Sequence, residues 1–330
     1  MNKRLAIGLV GIVVLIATSL LLHQRSSAWG FWAHKRINRI AVFTLPPQMI
    51  GFFKENIEHI TEHAVDPDKR RYSDPAEAPR HYIDIDRYDV APFDAVPRRW
   101  DSAVAKYSVD TLNAHGIVPW HINLMMYQLT EAFKSKNKYR VLRYVSDIGH
   151  YVGDAHVPLH CTKNYNGQLT GQHGIHGFWE SRLPELFGED YDYFVGKAEY
   201  WERPNDRIWE IILESAAEAD SVLRIERELN EQFPADKKYT YEQRGETTVR
   251  AYSREYSDAY DKALNNMTER KLRKSIIALG SVWYTCWVNA GSPDLSMLRE
   301  VPPTPEEIEE AKQLEASWRL GKQQGREHED

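Results

Sequence analysis

Residues 149–160 read GHYVGDAHVPLH, placing three histidines and one aspartate within twelve residues, ahead of Cys161. They close a run, 138–156, in which Val141, Leu142, Val145, Ile148, Tyr151 and Val152 recur at helical spacing. The run predicts a helix that Pro158 ends. His150 and Asp154 are four residues apart and share a face of that helix. Gly149 and Gly153 flank them, and small residues there let a neighbouring backbone or a metal come close. His160 lies beyond the proline. His176 and Glu180 repeat the four-residue spacing at the start of the next predicted helix. Clustered nitrogen and oxygen donors suit zinc. Tyr151, Val152, Ile175, Phe178 and Trp179 make the surroundings apolar, so an imidazole–carboxylate pair there needs a partner that offsets desolvation. His156 is six residues past His150 and points away from its face, which suits a structural role or a hydrogen bond to a ligand. His173 is an alternative ligand in the loop between. For Cys161, packing as a small apolar residue stands ahead of a metal role.

Helical periodicity dominates the chain outward from this stretch. Candidate helices cover 33–45, 47–63, 99–113, 119–135, 138–156, 178–187, 205–231, 244–265 and 267–291. Strand-like alternation is nearly absent, and HYIDIDRY (81–88) suits a short extended piece. Two long irregular stretches, 64–98 and 161–175, interrupt the helices, and such loops inside a compact domain tend to carry function. No linker divides the 330 residues. The fold class expected is all-α, a single multi-helix domain whose loops carry chemistry. A net charge of −6 argues against broad electrostatic capture of a nucleic-acid backbone. It leaves room for an enzyme that grips phosphate through metals.

Asn2, Lys3 and Arg4 open the chain, Leu5–Leu22 is uncharged and mostly apolar, and Ser26-Ser27-Ala28 puts small residues before Trp29. This is the layout of a signal peptide cut after residue 28; an uncleaved anchor is the alternative. The organisation expected is a signal peptide over 1–28, a catalytic domain over 29–301, and a charged tail over 302–330 holding one exposed helix and a frayed end. The protein is expected to be secreted or periplasmic, and soluble once cut. Cys161 and Cys286 are the two cysteines, and a bridge between them is left open.

H-Y-V-G-D-A-H-V-P-L-H followed by H-G-F-W-E resembles the signature of the zinc-dependent phospholipase C and S1/P1 nuclease superfamily. The resemblance implies an all-helical enzyme that binds three zinc ions and hydrolyses phosphodiester bonds. It also implies a mature chain whose first residue, a tryptophan, binds zinc through its free amine and carbonyl oxygen. Trp29 in WGFWAH fills that place, and His34 the histidine that follows. HAVDPDKRR supplies a loop aspartate and PRHYIDID the next histidine, His81. Asp66 is preferred over Asp68 and Asp74, because its fifteen-residue gap to His81 and the basic run behind it resemble the nuclease pattern. His150, Asp154, His160, His176 and Glu180 complete nine positions in order.

By the same resemblance, one zinc takes Asp66, His81, His150 and Asp154, a second takes His160, His176 and Glu180, and the third takes Trp29, His34 and the shared Asp154. A zinc-activated water would attack phosphorus, and Asp66 would orient or deprotonate it. Two substrate classes are expected about equally. Trp29-x4-His34, the P-L-H spacing and Trp179 are nuclease-like. Glu180 in place of aspartate and the 16-residue step from His160 to His176 are phospholipase-like. Trp32, Tyr72, Tyr82 and Tyr165 near the ligands would stack bases, line a headgroup pocket or pack around the cluster. The expected partner is a phospholipid or single-stranded nucleic acid, with no stable protein partner and a monomeric state. The non-enzymatic alternative is an exported zinc-binding structural protein.

Overall fold

The computed structural model describes residues 30–244 and 247–320. The signal segment and Trp29 lie outside these. Helices dominate, as the periodicity predicts: α1 (Gly30–Ala41), α2 (Pro47–Glu55), α3 (Ile57–Glu62), α4 (Asp66–Arg70), α5 (Trp100–Tyr107), α6 (Val109–His115), α7 (Val118–Lys134) and α8 (Lys138–Ala155). After the long central loop come α9 (Ile175–Gly177), α10 (Leu183–Phe187), α11 (Pro204–Gln232), α12 (Arg254–Ala263), α13 (Met267–Asn289) and α14 (Pro305–Leu320).

The sequence of α8 explains its limits. The Asn137 side chain accepts a hydrogen bond from the Arg140 amide and caps the first turn. His156 closes the last turn, and Pro158 follows. Between them the helix passes from a one-sided apolar stripe to full burial, since every residue from Val145 to Ala155 is buried. It is walled by α1, α7 and α13. Trp283 of α13 is fully buried and donates to the Val145 carbonyl at 3.1 Å, and Ser215 of α11 donates to the Ala155 carbonyl at 2.8 Å. Each large apolar side chain enclosed this way contributes roughly 1.5–3 kcal/mol.

Gly149 and Gly153 set how closely α1 approaches. A Cβ on Gly149 would collide with Asn38 Oδ1, and one on Gly153 would stand 2.8 Å from His34 Nδ1. Asn38 cannot swing aside, because its amide donates to the Ile60 and Ser146 carbonyls at 3.1 and 3.0 Å. Gly149→Ala is therefore expected to destabilise the fold by about 1–3 kcal/mol from overpacking, which exceeds the ~1 kcal/mol that alanine gains in helix propensity. Thermal unfolding checks this; an unchanged or raised midpoint would refute it.

One expectation is corrected here. Arg244 and residues 247–252 do not belong to the helix expected over 244–265. Tyr239–Arg244 (β1) and Thr247–Tyr252 (β2) pair antiparallel, Tyr239 opposite Tyr252 and Arg244 opposite Thr247, and α12 begins only at Arg254. Alternating Tyr, Thr and Val on either side of Gly245 is hairpin chemistry. HYIDIDRY, expected to be a short extended piece, is extended between two tight turns. His81 ends one 3-10 turn (Ala78–His81), and Ile85–Arg87 forms another. The link between is extended, with the Ile83 amide on the His160 carbonyl at 2.9 Å and the Asp84 amide on the His115 carbonyl at 2.8 Å. The helix expected after residue 302 is α14. It lies back across the domain, with Trp318 against Phe31 and Tyr72 and with Glu310 on Arg143. Among the described residues, no helix is long and apolar enough to cross a membrane.

Candidate metal centre

Five histidines and three carboxylates meet where α1, α8 and the two irregular stretches converge. α1 supplies His34. α4 supplies Asp68, and the 3-10 turn behind it His81. α8 supplies His150 and Asp154, and the turn after Pro158 supplies His160. His176 sits in α9, which runs into a π-helical turn, Phe178–Arg182, containing Glu180. Such wide turns are frequent at functional sites.

These side chains form three clusters. In the first, His34 Nε2 lies 3.3 Å from Asp154 Oδ1, and its ring stacks on His150 with centroids 3.7 Å apart. In the second, His81 Nδ1 lies 3.0 Å from His150 Nε2 and 3.7 Å from Asp68 Oδ1, and His150 Nε2 is 3.5 Å from the same Asp68 oxygen. In the third, Glu180 receives both rings, His160 Nε2 at 3.2 Å and His176 Nε2 at 3.1 Å. Asp154 joins them. Its Oδ2 lies 3.0 Å from His81 Nδ1 and 3.4 Å from His150 Nε2, and its Oδ1 is 3.8 Å from His160 Nδ1.

The opposite ring nitrogens are tied down. His150 Nδ1 donates to the Ala64 carbonyl at 3.0 Å, His160 Nδ1 to the His81 carbonyl at 2.6 Å, and His176 Nδ1 to the Tyr165 carbonyl at 3.1 Å. Each bond fixes the tautomer that leaves Nε2 free of hydrogen and facing the cluster.

Asp66 is not in the centre, contrary to the sequence preference. Its carboxylate faces His63 at 2.5 Å and Lys69 at 2.8 Å. The reason is helical phase: Asp66 begins α4, and two residues on a helix point roughly 200° apart, so Asp68 turns inward when Asp66 turns out. His34, His81, His150, Asp154, His160, His176 and Glu180 all lie within the three clusters. His156 lies outside them and donates to the Val152 carbonyl at 2.7 Å; burial holds its pKa down at about 3. His173 is exposed in its loop. Cys161 and Cys286 are both free thiols, buried and pushed up to about 12 by burial.

The donor set fits a divalent cation. Burial opposes charge on every member, yet Asp154 is held well below the usual carboxylate range by His150 and His160, and Glu180 is held at about 2 by His176 and His160. Burial likewise opposes charge on His150, but Asp154 and Asp68 raise it to about 9, and Asp154 and Glu180 raise His160. Three enclosed carboxylates thus need positive charge, and imidazoles supply it only by taking protons. Cations coordinated by the same nitrogens meet that need without protonation.

An all-α domain with imidazole–carboxylate clusters gathered on one aspartate is the arrangement that the sequence signature implies for a phosphodiester hydrolase. The chain belongs to the S1/P1 nuclease family: the family model described as S1/P1 Nuclease matches residues 29–283. No curated protein matches it.

Proposed function

We propose that this protein is an exported, zinc-dependent nuclease of the S1/P1 type, with a mature chain that begins at Trp29. The observation that carries the proposal is the sharing of Asp154 by neighbouring donor clusters, with its two oxygens 3.0–3.8 Å from four histidine nitrogens. Zinc held there supplies Lewis acidity, which neutralises phosphate oxygens and lowers the pKa of a coordinated water. The residues of the chain orient and hold. His34, His81, His150 and Asp68 join Asp154 on one side, and His160, His176 and Glu180 close the other. Asp68 is the most accessible carboxylate of the centre, with 22% of its side chain exposed. It replaces Asp66 as the group that takes a proton from a water attacking phosphorus. The start of the family match at Trp29 supports removal of the first 28 residues, which leaves Trp29 with a free amine.

One observation favours a second substrate class. The carboxylate between His160 and His176 is Glu180, the longer phospholipase-like choice. The purified mature protein, offered single-stranded DNA, RNA and phosphatidylcholine side by side, is expected to cleave the nucleic acids, to stop on chelation and to recover with zinc. Hydrolysis of phosphatidylcholine alone would replace the nuclease reading with a phospholipase. Bound zinc without turnover of any substrate, bis(p-nitrophenyl) phosphate included, would leave a structural zinc protein. N-terminal sequencing of exported protein is expected to read Trp-Gly-Phe-Trp, and a chain retaining its first residues would refute the cut.

A further inference from the structure

We infer that Glu77 is a positioning residue for the metal centre: a buried carboxylate that fixes the His81 ring with Nδ1, and not Nε2, toward the metal. The inference rests on the zinc proposal. Three ligand histidines turn Nε2 inward and give their Nδ1 proton to a main-chain carbonyl. His81 is reversed. Its Nδ1 is the atom near Asp154, His150 and Asp68, and its Nε2 points outward to Glu77 Oε1 at 3.5 Å.

Glu77 is 0% exposed and is a member of none of the three clusters. Three donors hold it on the far side of the His81 ring. Tyr151 donates to Oε1, and Arg80 and Arg70 both donate to Oε2. Arg70 in turn spans to Asp147 at 2.9 Å. The carboxylate is thereby kept from swinging round to the ligand side, yet one oxygen stays within reach of the ring. A cation on Nδ1 makes the Nε2 proton a stronger donor, and a fixed negative acceptor rewards that state more than a neutral one. Backbone carbonyls do this for His150, His160 and His176. At His81 the ring nitrogen away from the cluster faces the Glu77 carboxylate instead. The sequence carries the trace: Glu77 precedes His81 by four residues, the spacing of His150–Asp154 and His176–Glu180.

The test compares the zinc-loaded mature protein with Glu77→Gln. Competition with a chromophoric chelator is expected to show one zinc step weakened by about 10–100-fold, the usual effect of losing such a partner, and the other steps changed less. Glu77→Asp, which restores the charge, is expected to recover part of the loss. Unchanged affinity at every step in Glu77→Gln would overturn the inference while leaving the zinc proposal standing. A wild-type protein that binds no zinc would overturn both. If Glu77→Gln does not fold, the wild-type protein decides alone. Long-range proton–nitrogen correlation spectra of the loaded protein are expected to show the His81 ring metallated on Nδ1 and protonated on Nε2, opposite to His150, His160 and His176. The same tautomer on all four rings would refute it.

Discussion

On the proposed zinc reading, replacing Asp154 with asparagine is expected to lower the zinc content and to reduce turnover of single-stranded DNA by about 10²–10⁴-fold. No other side chain of the centre contacts four of its histidines. Asparagine keeps the shape and removes the charge. Breaking a buried, paired charge costs about 3–5 kcal/mol, and each 1.36 kcal/mol is tenfold. The ion expected to survive is the one on His160, His176 and Glu180, whose close contacts run to each other. Zinc analysis and single-turnover rates read the outcome. Wild-type zinc content in this variant would remove Asp154 from the centre.

A second large effect separates two neighbouring aspartates. Asp68→Asn is expected to reduce the rate by at least about 100-fold, as the loss of a ligand and proton acceptor should. Asp66→Asn is expected to stay within about threefold of wild type. Asp66 is paired with His63 and Lys69 and belongs to none of the three clusters, so its loss takes no donor from the centre. The reverse ranking would restore the assignment that the family resemblance implied.

That contrast shows where the sequence ran out. Pairs within one long helix were legible, because four-residue spacing fixes a shared face once the helix is recognised. His150 with Asp154 needs nothing more, and His176 with Glu180 survives even the widened turn between them. Asp66 and Asp68 pose a different problem. Their helix is only five residues long, and its phase depends on where it starts, which Pro67 and the preceding 3-10 turn decide. The distance to His81 in residues says nothing about that phase. Glu77 went unread for a related reason: its partner lies in a 3-10 turn inside a proline-rich stretch that showed no periodicity. The hairpin at 239–252 was lost because its alternation is short and polar on both faces, and it sits between two helices that extend plausibly into it. Such a pattern carries little burial signal.

The hydrogen bond from His160 Nδ1 to the His81 carbonyl, 2.6 Å long, joins two clusters through one residue. The His81 ring serves the site it shares with His150, while its peptide oxygen sets the ring angle of a ligand in the neighbouring site. Filling either site therefore stiffens the other, since ordering residue 81 once removes that entropy from the second binding step. Zinc bound in one of these two sites is accordingly expected to raise affinity in the other, which stepwise metal titration reads as positive coupling between them.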